Sequence, residues 1–266
     1  MGNIGAVFCF EWKRAFTWQR LLGWATLALF PVFIIGLMRV TIQMAGNTPP
    51  RELWIGFLFA LVPMLVSMLG ALLWTTTAIA TELERRSWVY LTIRPNGGTA
   101  VLLGKYLAAV TWVIPAALLG LSLAIPLTIT PITRDGETWQ LWWAMARLVC
   151  LSGPAYSAIF LLLGTINPRR AMVLAVAYSL IFELVISFVP AVINKLTIQY
   201  RLRALMVNWC EVIPPQGTET GVLALIGNSS PTEHVMVLLL LPPVLLAVSV
   251  AVLRWSEFSA AAESDV

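Results

Sequence analysis

A chain with one histidine has few routes to hydrolytic or metal chemistry. That residue, His234, stands at the edge of an apolar run, so a metal site built on several histidines is excluded. Cys9, Cys150 and Cys210 are odd in number, far apart, and show neither CxxC nor zinc spacing. Ser152-Gly153-Pro154 lacks the flanking glycines and the strand of a nucleophile elbow. Gly104-Lys105 is followed by Tyr106 and lacks the earlier glycine of a Walker A loop, so no nucleotide site is evident. Met64 and Met68 share a helix face, as copper relays do, but nine methionines in so apolar a chain are ordinary filler. These residues predict no enzyme, no bound metal and no cofactor in this chain.

Two features remain that could act. Glu183 lies about twelve residues into an apolar run, near mid-bilayer at roughly 1.5 Å of rise per residue. A carboxylate there is costly and faces a cavity or a partner. It could meet a cation or polar substrate group on a translocation path. It could instead be structural: protonated, paired with Arg147, or hydrogen-bonded to another helix. The second feature is the polar break from Glu82 to Lys105. Trp88, Tyr90 and Leu91 are apolar knobs flanked by Arg85, Arg86 and Arg94, and Pro95-Asn96-Gly97-Gly98 stops any helix there. Aromatics and arginines are typical interface anchors. Composition alone reads the break as a positive-inside connector with a snorkelled tryptophan.

The elements that hold these residues follow from composition. Hydrophobic residues make up 59% of the 266 and charged residues 11%, against roughly 25% charged in a soluble domain, so the chain requires a membrane. Apolar runs predict six spans, at 21–44, 54–80, 101–130, 142–166, 171–193 and 235–255. The net charge of +4 does not point to nucleic acid, because the basic residues are dispersed at the ends of these runs. With the N-terminus inside, Lys13, Arg14, Arg20, Arg85, Arg86, Arg94, Lys105, Arg169, Arg170 and Arg254 lie inside, ten residues. Arg39, Arg51, Arg134, Arg147, Lys195, Arg201 and Arg203 lie outside, seven residues, three of them in or beside a long loop that carries less weight. Both termini are therefore expected in the cytoplasm. Arg39 and Arg147 are near enough to the outer surface to snorkel.

Outside the spans, Phe8, Trp12, Ala15 and Phe16 share a helical face opposite Lys13, Thr17 and Arg20, which predicts an amphipathic interfacial helix over 8–20 within the segment 1–20. The alternative is a plain extension of the first span. The first apolar run begins near Leu21 and is too long for a cleavable signal core. The outer segment 194–234 carries a stripe of Ile198, Leu202, Leu205, Met206 and Trp209, read as a short helix on or in the outer leaflet. Pro214-Pro215 ends it. The whole chain, 1–266, reads as one all-α transmembrane domain.

The break at 81–100 resembles the first cytoplasmic loop of ABC type-2 exporter permeases. In that family a Glu-Arg pair is followed by a small residue, a leucine, a proline about eleven residues after the Glu, and Leu-Gly-Lys entering the next span. Here Glu84-Arg85 is followed by Ser87, Leu91 and Pro95, then Leu102-Leu103-Gly104-Lys105. Arg86 stands where a glycine is usual, and Val89 where an acid is common. The layout, an interfacial helix, six spans and an outer helical segment, is also similar. The resemblance implies a permease in a bacterial inner membrane, working as a homodimer or with a similar permease. Two separate cytoplasmic ATPase subunits would bind ATP and Mg. Glu84, Arg85, Arg86, Ser87, Trp88, Tyr90, Leu91, Arg94 and Pro95 would form the ATPase-docking coupling element. A non-transporting membrane anchor for a cytoplasmic partner accounts for the same loop. A membrane-embedded enzyme is disfavoured by the lack of a nucleophile–base set.

Overall fold

A computed structural model describes residues 2–46, 50–84, 97–132, 137–188, 192–212 and 230–255. Every element among the described residues is helical. In chain order these are α1 (Gly2–Ala15), α2 (Trp18–Met44), α3 (Arg51–Phe59), a π-helical turn (Ala60–Val66), α4 (Ser67–Thr75) and α5 (Ala80–Glu84). Then follow α6 (Gly97–Ile132), α7 (Glu137–Ile166), α8 (Ala171–Tyr178) with a π-helical continuation (Ser179–Val185), α9 (Ile198–Trp209) and α10 (Pro231–Trp255).

Among the described residues, five stretches are long and apolar enough to cross a bilayer: Trp18–Met44, Arg51–Glu82, Gly97–Thr128, Thr138–Ile166 and Pro231–Trp255. They mark a multi-pass membrane protein. The second is continuous through Pro63 only because the helix widens there. Proline has no N–H and its ring crowds the carbonyl four residues back. The π-helical turn around Pro63 relieves that crowding and the helix resumes at Ser67.

The expected span at 171–193 is not among the five. The run starts as α8, widens into the π-helical stretch that holds Glu183, and tightens to a 3-10 turn at Ile186–Phe188. After a further 3-10 turn, Val192–Leu196, the chain begins α9. Hydropathy is uniform along this run, but the geometry bends around the carboxylate.

α6 organises the bundle. Its 36 residues span about 54 Å, far beyond the roughly 30 Å hydrocarbon layer. α1 and then α2 follow it in the same direction. Val7 and Phe8 of α1 lie over Gly104, where a Cβ would come within 2.7 Å of Val7. Trp12 Nε1 donates to Thr111 Oγ1 at 3.1 Å. Along α2, Trp24 donates to the Trp112 carbonyl at 2.9 Å and Arg39 to the Leu127 carbonyl at 2.9 Å. α7 runs the opposite way. Its early Trp142 reaches Ser122 and its late Gly164 lies against the Thr76 carbonyl, with no room for a Cβ.

The bundle therefore has two ends. One, here called proximal, holds α1, Lys105 and the end of α10, where Leu253 packs with Leu102, Tyr106 and Leu161. The other, distal, holds Trp142 and the start of α10, where His234 meets Tyr200. Both ends of the described chain are proximal.

α1 stops at Ala15, short of the expected 20. Phe16 and Thr17 break the helix, Thr17 in an extended conformation, and α2 starts at Trp18. The break lets Trp12 and Phe16 stack on Trp112 with ring centroids 5.8 and 5.2 Å away. α1 is thus a separate helix packed on α6, not an extension of α2.

Close backbone contacts make a direct prediction. Gly164→Ala forces a Cβ into the Thr76 carbonyl and should cost about 1–3 kcal/mol as overpacking. Gly56 has open space around its Cβ position, so Gly56→Ala should be neutral or stabilising. Thermal unfolding in detergent should separate the two variants by several degrees; equal melting would show that the Gly164 contact relaxes freely.

Candidate functional site

The first candidate is a charged junction at the proximal end. Lys105 enters α6 one residue after Gly104, and the missing Cβ at Gly104 lets α1 cross close enough to bring Glu11 alongside. The Lys105 ammonium has three protons to donate. It reaches Glu82 Oε1 at 2.5 Å, the Ala78 carbonyl at 2.8 Å and Thr81 Oγ1 at 3.3 Å. Glu11 Oε1 lies 3.7 Å away and also faces Arg14 at 3.7 Å. The lysine side chain is only 8% exposed.

The Ala78 carbonyl takes this donor together with Thr81 Oγ1 at 3.2 Å. Residues 76–79 form a turn between α4 and α5, so helical partners are lost there. Lys105 replaces them while neutralising Glu82. One side chain thus joins α1, the end of the second span and the start of α6.

The junction also pins both flanks of segment 85–96. Glu82 lies just before it and Lys105 just after α6 begins. Glu84 ends α5, and its side chain lies outside the described residues. So do all of Arg85, Arg86, Ser87, Trp88, Tyr90, Leu91, Arg94 and Pro95. Of the interfacial residues, Phe8 is half-buried over Gly104, while Trp12 and Phe16 form the aromatic cluster with Trp112 and remain exposed on one side.

The second candidate is Glu183, which is fully buried. Its Oε1 accepts from Tyr178 Oη at 2.8 Å and from the Ile198 N–H at 3.3 Å. Its Oε2 accepts from the Gln199 N–H at 3.1 Å and from Tyr156 Oη at 3.4 Å. The first turn of any helix leaves N–H groups without helical partners, and its positive dipole end favours an anion. Glu183 meets both needs for α9 from a position fifteen residues earlier. Thr197 adds its own cap, accepting from the Tyr200 N–H at 3.2 Å. Arg203 donates to the Ser187 carbonyl at 3.1 Å, tying α9 back to the same bend.

Arg147 takes no part in this network. Its guanidinium lies 4.8 Å from the Trp209 ring centroid, and its Nε donates to the Trp143 carbonyl. Arg39 is half-buried and bound to Leu127. The stripe of Ile198, Leu202, Leu205 and Met206 forms the buried face of α9, which packs against α7 and α10. Cys210 is buried at the end of α9, whereas Cys9 and Cys150 are exposed, and all three thiols are free.

Sequence reading missed the partners rather than the anchors. Sequence pattern assigns Glu11 no role, and Glu82 only marks the start of the polar break. The available signal was Lys105 itself, a lysine set inside an apolar run directly after a glycine. Tyr178, five residues before Glu183, was a second signal.

No protein-family model matches the chain, and no curated protein matches it.

Breaking a buried pair leaves an uncompensated charge, typically costing 3–5 kcal/mol. Lys105→Met should therefore strongly destabilise the protein, and Lys105→Met with Glu82→Met should recover much of the loss. A denaturation cycle across these variants measures the coupling; additive losses would exclude it. For Glu183, replacement by Ala should expose the Ile198 and Gln199 amides. Hydrogen–deuterium exchange of the α9 N-terminus should accelerate in Glu183→Ala and less in Glu183→Gln, which retains an acceptor. Unchanged exchange in Glu183→Ala would remove the capping role.

Proposed function

We propose that this chain is the membrane-spanning permease subunit of an ATP-driven exporter of the ABC type-2 class. Separate cytoplasmic ATPase subunits would bind ATP and Mg and do the hydrolysis. This chain would turn their closure into movement of helices around a path for substrate, a rigid-body switch between two states. A second copy, or a similar permease, completes the path. The proximal end faces the cytoplasm of a bacterial inner membrane.

The observation that carries this reading is the junction around Lys105. A loop that only connects two spans needs no buried ion pair at its base. Here the base of segment 85–96 is locked to α1 and to α6 by charge and by close backbone contact. A force applied to the segment would reach three helices at once. The Leu-Gly-Lys step at 103–105 has a physical reason: the glycine admits α1 and the lysine ties the span ends.

Six passes also fit. α7 ends proximally and α10 begins distally, so the chain between them makes one net crossing. In this reading the bent path through α8, Glu183 and α9 is the fifth pass, built in two offset pieces. Irregular backbone at membrane depth is tolerated where protein covers it. The count is then even, and both termini are cytoplasmic.

The decisive test is recruitment. Trp88 and Leu91 are three residues apart, a spacing that would put both on one side of a helical docking element. Truncating buried interface anchors commonly costs about 2 kcal/mol or more, roughly thirtyfold in affinity. Trp88→Ala with Leu91→Ala should reduce co-purification of the partner ATPase and abolish coupled transport in vesicles, at matched membrane insertion. The wild-type chain alone should not hydrolyse ATP. Recruitment without flux in the wild type would favour the anchor reading. Unchanged recruitment and flux in the double variant would make the loop a simple connector.

A further inference from the structure

A cleft of about 210 Å³ opens at the proximal end between α1, the start of α2, the end of α4 and α6. Its charged lining is Arg14, Arg20, Lys105 and Glu11, three cations against one carboxylate. Lys105 and Arg14 already share Glu11. Arg20 is exposed, and among the described residues no carboxylate pairs with it. The hydroxyls of Thr77 and Thr81 add polar groups to the same wall.

Beside the exposed Arg20, part of the lining is apolar and equally exposed. Gly23 and Leu73, both exposed and both within membrane-spanning stretches, line the cleft. A site for a soluble anion would be rimmed by polar residues. A cationic floor with an opening among span residues instead suits a molecule with an anionic head and an apolar tail. The depth agrees, because Arg20 lies in the first turn of a span, at headgroup level.

We propose that this cleft binds the phosphate headgroup of an anionic phospholipid from the proximal leaflet. Arg20 and Arg14 face the phosphate, Thr77 donates a hydroxyl hydrogen bond, and one acyl chain lies across Gly23 and Leu73. Arginine suits this role because its planar fork binds phosphate oxygens in pairs. A bound lipid would bridge α1, α2 and α4 beside the Lys105 junction. The inference rests on the cleft alone and stands whether or not the chain transports anything.

The test is native mass spectrometry of the full-length protein in detergent, titrated separately with dioctanoyl phosphatidylglycerol, dioctanoyl phosphatidylcholine and inorganic phosphate. The wild type should retain one phosphatidylglycerol with clear preference over phosphatidylcholine. Arg20→Gln should weaken it about fivefold, the effect of one basic residue near an anionic headgroup. Gly23→Leu fills the rim sterically and leaves the charges alone. Nothing lies within 4 Å of a Cβ at Gly23, so that variant should fold normally and also lose the lipid. Loss in both variants supports the site. Unchanged phosphatidylglycerol binding in either variant, or equal binding of phosphatidylcholine, would overturn it. Inorganic phosphate binding as tightly as phosphatidylglycerol would assign the cleft to a soluble anion instead.

Discussion

Backbone groups released by a helix break cannot turn to water inside a bilayer. That constraint shapes this bundle more than any apolar contact does. At four places a charged side chain from another element stands in for a missing helical partner. Lys105 donates to Ala78 in the turn after α4. Arg39 donates to the Leu127 carbonyl, which Pro131, four residues on, leaves without its usual donor. Arg203 donates to Ser187, and Glu183 accepts the first amides of α9. Polar residues that hydropathy marks as intruders are thus the groups that make broken helices possible.

The same logic explains why α9 can begin inside protein. A helix N-terminus buried without partners would leave several N–H groups desolvated at about 1–3 kcal/mol each. Glu183 satisfies two of them, and Tyr156 and Tyr178 occupy the remaining faces of its carboxylate. The π-helical widening at 179–185 sets Glu183 into the interior, where Ile198 and Gln199 meet it. π-helical turns are frequent at functional positions. Both in this chain border a site of backbone irregularity, one at Pro63 and one at the bend.

Five of the long helices were legible because hydropathy and length alone define them. The stripe on α9 was legible because its period is helical, although Gln199 is buried with it. The bend at 171–197 was not legible. Its residues are nearly as apolar as a continuous span, and at the bend sits a carboxylate whose partners are two tyrosines earlier in the chain and two amides fifteen and sixteen residues later. Glu183 itself was recognised as anomalous, but sequence offered Arg147 as a partner, and Arg147 is held by Trp209. Glu11 posed the same difficulty. Its meeting with Lys105 depends on α1 lying over Gly104, a contact between elements nearly one hundred residues apart. Local pattern carries no trace of such a contact except the glycine.

That glycine connects the packing to the proposed mechanism. Gly104 receives the Val7 side chain of α1, whereas at Gly120 and Gly164 the nearest neighbours are backbone carbonyls, of Ala28 and Thr76. Interdigitated side chains would lock each pair of helices into one register. Smooth backbone-to-backbone contacts resist separation but offer less opposition to sliding. At the proximal end, the pairing of Lys105 with Glu82 and Glu11 fixes α1, α5 and α6 to one another. Away from that end α6 meets α2 at Gly120, while the Gly164 contact of α7 with the turn after α4 lies beside the cluster itself. In the proposed exporter, a push on segment 85–96 would act on α1, α5 and α6 as one body, because the charges around Lys105 hold the three together.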